Sequence, residues 1–248
     1  MNLLTQVLHI VGSGASAYVL SSSIRDAKTR PNVLAGFQMA ESGAVPFLQA
    51  LRDRAASEGE TWLAERLDRH ASDEKRHGQI FAHGLKQLDR KVMDFSKMRE
   101  REIEGNPSEQ RSPFFGAYFK GYSQEQLKPE NIEWSVFMAS TYILELDASK
   151  DFVRIANALP DDAVSTNLKK GILSVAQDET GHAAYLREAM ERRYGARQTQ
   201  SLIDEWRSRK VDAMLASMQS FISKGGKMTQ MVEEGAPVDM NAVEQVAA

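Results

Sequence analysis

Apolar residues recur at steps of three and four along four separate stretches of the chain, and charge interrupts each series near its middle. The first series is Leu34, Phe37, Glu41, Val45, Leu48 and Leu51. The second is Leu63, Leu67, His70, Glu74, His77, Phe81, Leu85 and Leu88. The third is Trp134, Met138, Glu145, Phe152 and Ala156, with Tyr142 and Ser149 flanking the Glu. The fourth is Val164, Leu168, Ile172, Val175, Glu179, His182 and Leu186. This is the period of amphipathic helices. It predicts helices over about 31–57, 60–90, 129–158 and 161–194, and a last one over about 197–223 with Leu202, Trp206, Met214, Met218 and Phe221 on one side. Strand-like alternation persists nowhere. The predicted fold class is all-α, a four-helix bundle with flanking N- and C-terminal helices.

Punctuation residues set the boundaries. Pro31 sits where a first-turn proline is tolerated, and Pro129 is expected to open the third helix in the same way. Pro160 followed by Asp161 and Asp162 marks a stop and a new start, and Gly195 marks an end. Pro46 lies inside the first helix, where a proline removes a hydrogen bond and is expected to kink it. Residues 94–130 form a long crossover connection, charged from Lys97 to Arg111 and aromatic from 112 to 122. The aromatic part either covers the bundle end or subunit contact, or forms a lid. One domain is expected over 1–224, with the bundle over about 31–194. Residues 225–248 lack periodicity and are expected to form a flexible tail.

The interrupting charges form a repeated pattern. Ala-x-Asp-Glu-x-x-His occurs at Ala71–His77 and again at Ala176–His182. Glu and His three apart project from one helix face. A carboxylate and an imidazole on one face are two ligands for one metal ion. Each pair has an upstream companion: Glu41 lies 33 residues before Glu74, and Glu145 lies 34 before Glu179. That is about one helix, a short turn and the return up a second helix. Glu41, Glu74, His77 and Glu145, Glu179, His182 therefore read as two copies of one hairpin. Buried carboxylates are costly and raise one another's pKa unless compensated. Two divalent cations balance four carboxylates and two neutral imidazoles.

Composition narrows the chemistry. The chain has 248 residues, a net charge of −3 and no cysteine. Disulfides, a cysteine nucleophile and Cys-ligated iron or zinc are excluded. The charge gives no pull toward nucleic acid. Residues 3–20 are fairly apolar, and Ala15-Ser16-Ala17 looks like a cleavage site, but no Lys or Arg precedes Arg25. Polar residues there also weaken a membrane span. The segment is expected to be a helix or arm packing on the bundle or on a second subunit of a homodimer, in a cytoplasmic protein. Ser42, Gly43 and Ala44 leave room beside Glu41 for close helix packing or for oxygen and substrate. His70, one turn before Glu74 on the same stripe, is an outer hydrogen-bond donor, a ligand or a satisfied core residue. His9 and His83 carry no supporting pattern. Tyr142, Phe37, Ser149 and His70 are the candidates for pocket or redox roles.

With these residues in view, the chain resembles the ferritin-like di-iron carboxylate superfamily, whose ligands are one Glu from each of two helices and Glu-x-x-His from each of two others. The resemblance covers about residues 31–194 and fills all six positions. It implies two Fe ions, one held by Glu41, Glu74 and His77 and the other by Glu145, Glu179 and His182, with Glu74 and Glu179 bridging. Mn/Fe and Mn/Mn pairs suit the same ligands. It also implies that Asp73 holds His182 and Asp178 holds His77, as in the oxygen-activating branch. The expected activity is an oxidase or oxygenase using O2 on an organic, largely apolar substrate. No dinucleotide fingerprint follows a strand, so an external reductase or ferredoxin is implied. The alternative is a ferroxidase or peroxide-reducing protein similar to bacterioferritin or rubrerythrin, although a chain without Cys lacks a rubredoxin module. A third reading is a helical scaffold with a structural metal site.

Overall fold

The computed structural model describes residues 12, 14, 17–92, 112–225 and 230–234. Helix α1 (Arg30–Ser57) and helix α2 (Thr61–Gln87) join through a tight turn in which Gly59 takes φ +80. A residue without Cβ adopts that left-handed conformation at no steric cost. The two helices pack along their lengths as a hairpin. Helix α1 runs through Pro46 as one continuous helix.

The second hairpin is helix α4 (Trp134–Ala158) and the first limb of helix α5 (Ala163–Ser223). Asp162 caps α5, its Oδ1 accepting from Ser165 N at 2.8 Å. Gly195, at φ 75 and ψ 162, breaks α5 into two limbs at the predicted place. The third helix begins later than expected, at Trp134 rather than Pro129. Arg54 of α1 holds the carbonyls of Pro129 and Ile132 at 3.0 and 2.7 Å, which keeps this stretch as a turn. The second helix likewise ends at Gln87, short of 90, before Asp89 turns at φ 51.

The connection and the last limb pack together. Helix α3 (Pro113–Tyr118) lies against α5. The Trp206 ring sits 5.1 Å from Tyr118 and 5.4 Å from Phe119, and both Tyr118 and Trp206 are fully buried. A buried Lys210–Asp147 pair at 2.6 Å ties this limb to α4.

The fold is all-α as expected, with two short strands beside the helices. Strand β1 (Arg90–Val92) pairs antiparallel with strand β2 (Val232–Glu234). Arg90 faces Glu234 and Lys91 faces Glu233, so opposite charges oppose each other across the ladder. Part of the expected flexible tail is thereby tied to the end of α2. Three-residue strands are too short to show alternation. The rest of the 225–248 tail beyond Gly225 and 230–234, the Lys97–Arg111 run and His9 lie outside the described residues. Of the expected N-terminal helix, residues 17–25 are described and helical.

Two apolar clusters fill the interior. One gathers Leu48, Leu51, Leu67, Phe137, Leu186 and Trp206; the other gathers Leu34, Phe81, Phe152, Ile172 and Val175. Along every helix of the two hairpins the candidate ligands fall between these clusters. Among the described residues no helix is long and apolar enough to cross a membrane.

Candidate metal centre

Each of four helices delivers its charged residues to the same depth. Helix α1 contributes Glu41, α2 Glu74 and His77, α4 Glu145, and α5 Glu179 and His182. Glu74, His77, Glu179 and His182 are at most 4% exposed. Their ligand atoms gather in two groups sharing Glu74, in each of which all atoms lie within 4.8 Å of one another. One group is Glu41, Glu74, His77 and Glu179; the other is His70, Glu74, Glu145 and His182. These buried clusters could hold a metal ion each.

The distances show how crowded the site is. His77 Nδ1 lies 3.3 Å from both Glu41 Oε2 and Glu179 Oε1 and 3.9 Å from Glu74 Oε1. His182 Nδ1 lies 3.7 Å from carboxylate oxygens of Glu74, Glu145 and Glu179. Glu179 Oε1 and His182 Nδ1 are nevertheless buried without a hydrogen-bond partner among the described residues. Buried polar atoms are almost always satisfied. Two orphaned atoms of ligand type, one in each of the two groups, fit donors to a cation.

The remote nitrogens are engaged. His182 Nε2 is 3.3 Å from Asp73 Oδ2, and His77 Nε2 is 3.1 Å from Asp178 Oδ2. Each contact crosses from one hairpin to the other. Such outer carboxylates fix an imidazole's tautomer and turn the opposite nitrogen toward a metal. Asp178 is shared: Arg76 contacts it as well and reaches Ser174 Oγ at 3.1 Å.

Protonation reports the same strain. Burial first, then the hydrogen bond to Glu41 and the charges of Glu145 and Glu179, push the Glu74 carboxyl far above the carboxylate range. Burial and the neighbouring Glu145 raise Glu179 too. Burial pulls His77 down, but the carboxylates of Glu179, Glu41 and Asp178 outweigh it and raise the imidazole to about 9. At His182, burial is likewise outweighed by Asp73, Glu145 and Glu179, raising it to about 11. Protons thus do for this cluster what cations would do at higher charge density.

The other sequence candidates divide. His70 joins the cluster, with Nε2 3.1 Å from Glu74 Oε1 and 3.5 Å from Glu145 Oε1. Phe37 does not; it packs on Phe81 and Phe152 at ring distances of 5.2 and 5.1 Å. Ser149 turns its hydroxyl back onto the Leu146 carbonyl at 2.9 Å. Tyr142 is buried in the apolar core and lies against Arg187.

Three features are missed in the sequence reading. Tyr185 hydrogen-bonds His70 Nδ1 at 2.8 Å; its place three residues after His182, on the same helix face, is the one available clue. Arg76 joins Asp178. A cavity of about 530 Å³ reaches Glu41, Glu74, Glu145 and Glu179 and is otherwise walled largely by apolar side chains, Phe47, Phe119, Phe137 and Leu144 among them. Gly43 and Ala44 also line it, while Ser42 packs closely against Gly78 of α2, so the small residues beside Glu41 serve both space and close packing. The aromatic segment both covers and lines: Phe119 packs on Trp206 while Phe115 and Phe119 border the cavity.

No family model, no curated protein and no solved structure matches this chain.

Proposed function

We propose that this chain is a ferritin-like non-haem di-iron oxidase or oxygenase that uses O2 to oxidise a largely apolar organic substrate. The observation that carries the reading is the apolar cavity of about 530 Å³ ending on Glu41, Glu74 and Glu145. A protein that only stores or detoxifies small ions has no use for such a chamber beside its metals.

In this reading Glu41, Glu74, His77 and Glu179 hold one iron, and Glu145 and His182, with Glu74 in common, hold the other. The iron pair, when bound, supplies two electrons to O2 together. Asp73 and Asp178 keep the Nδ1 atoms of His182 and His77 aimed inward. The apolar walls exclude water and position the substrate against the carboxylate end of the cavity. Pairs containing manganese suit the donors equally. A separate reductase or ferredoxin supplies electrons, and a cytoplasmic location goes with that partner.

The test is anaerobic loading with Fe(II), followed by O2 with and without a panel of aliphatic and aromatic compounds. Substrate-dependent O2 consumption and an oxidised product are expected. Repeated oxidation of added Fe(II) without any organic compound, and no product from the panel, would replace this reading with the ferroxidase one.

A further inference from the structure

Two of the mismatches in the internal repeat lie at the site itself. Glu74 and Glu179 are 105 residues apart, and so are His77 and His182. The same offset sets His70 against Val175, and Ile80 against Tyr185. One end of the site therefore carries a polar pair, His70 and Tyr185, where the other end carries two aliphatic residues.

The polar pair is built like the other ligand arrangements. His70 is 2% exposed, and its ring stacks on His182 with centroids 3.7 Å apart. Its Nε2 faces Glu74 and Glu145, at 3.1 and 3.5 Å. Its Nδ1 is held by the Tyr185 hydroxyl at 2.8 Å. All three buried imidazoles thus turn one nitrogen to the carboxylates and give the other to an outer partner. For His77 and His182 that partner is an aspartate; for His70 it is a neutral phenol.

Resting on the metal-pair reading, we propose that His70 is a third imidazole ligand, binding through Nε2 the ion at the Glu145–His182 end, with Tyr185 as its positioning residue. The two metal positions are then chemically unequal. One has a single imidazole among carboxylates; the other has two imidazoles. A neutral imidazole carries one ring proton. With the proton on Nε2, His70 donates to Glu74 and accepts from Tyr185. With the proton on Nδ1, it donates to the Tyr185 oxygen and its Nε2 lone pair is free. A cation at Nε2 selects the second tautomer. The phenol can act as donor or acceptor, so it tolerates both, which an ionised carboxylate would not. Imidazole also favours later divalent metals more than carboxylate does, so this end should fill first with Co(II).

The test uses the full chain, stripped of metal by chelation and titrated anaerobically with Co(II) alone. The wild type should bind two ions in two resolved steps. His70→Ala and His70→Gln should weaken one step by about 10- to 100-fold or more and leave the other in place, and Tyr185→Phe should weaken that same step by less. Val175→Ala, the matching change at the other end, controls for lost packing and should keep both steps. Should the His70 variants not fold, a diffraction map of the Co(II)-loaded wild type decides, through the presence or absence of a metal–Nε2 bond to His70. Two bound ions with no bond to His70, or unchanged isotherms in the His70 variants, would overturn this proposal and leave the metal-pair reading standing. A wild type that binds no pair of ions would overturn both.

Discussion

Asp73 on α2 reaches across to His182 on α5, its Oδ2 3.3 Å from Nε2, while Asp178 makes the reciprocal reach to His77 at 3.1 Å. The two contacts stitch the hairpins together at the depth of the candidate ligands. They are not equivalent, because Arg76 also contacts Asp178, whereas the position matching Arg76 in the repeat is Gly181. The hydrogen bond to His182 is the largest cause holding the Asp73 carboxyl below its usual range. Asp73→Asn should weaken metal binding at the His182 end by about 10- to 100-fold. Asp178→Asn should have the smaller effect. Parallel Co(II) titrations check the order; a larger loss in Asp178→Asn would show that Arg76 strengthens rather than divides its carboxylate.

Glu74 belongs to both four-residue groups, so it should be the side chain whose loss removes both ions. In the metal-free protein its carboxyl is pushed far up by burial and by Glu41, so it is neutral at pH 7. Glutamine mimics that neutral form. Glu74→Gln should leave the melting temperature of the metal-free protein close to wild type and abolish the rise that metal binding gives by mass action. Thermal melts with and without Co(II), beside elemental analysis of metal content, test both halves. A variant that keeps two ions would end the assignment of Glu74 as the shared ligand.

The convergence of the six Glu and His side chains was legible because the repeated Asp-Glu-x-x-His marks helix phase and buried charge at once. The helices carrying them were legible for the same reason, through long apolar stripes. His70 was not resolved, since a lone imidazole on an apolar stripe has the same period whether it packs or binds. Tyr185 reads as one more apolar position of α5. The cavity has no linear signature: Gly43, Phe119, Ile132 and Leu144 come from α1, the connection and α4. The late start at Trp134 depends on Arg54 binding carbonyls 75 and 78 residues away, and the β1–β2 pairing joins segments from opposite ends of the chain.

Metal uptake should release protons and strengthen with pH. An imidazolium cannot ligate, and His77 and His182 hold their protons up to about 9 and about 11 in the metal-free site. Apparent Co(II) affinity should therefore rise continuously from pH 7 to 9. Calorimetry in buffers of different ionisation enthalpy should count more than one proton released per chain. The stability of the metal-free protein should run the other way. A raised imidazole pKa stabilises the fold fully below about pH 6.5, the unfolded value, and that contribution is lost as pH climbs through 9 toward 11. The raised carboxyls of Glu74 and Glu179 act with the same sign. A melting temperature of the metal-free protein that increases from pH 7 to 10 would contradict the protonated cluster.

Gly43 separates stability from the proposed activity. It lies inside α1, where glycine costs about 1 kcal/mol relative to alanine. A Cβ placed there meets nothing within 4 Å, and the residue borders the cavity. Gly43→Leu should therefore fill part of the chamber without displacing the backbone. Its melting temperature should equal or exceed wild type, and its two Co(II) steps should be unchanged, because no ligand is touched. Substrate-dependent O2 consumption should fall at least tenfold for bulky apolar compounds and less for short ones, since the lost volume excludes the longer chains first. The melt, the isotherm and the size dependence are measured on one preparation. Unchanged turnover across all chain lengths would place the substrate outside this cavity even if the metal centre itself is correct.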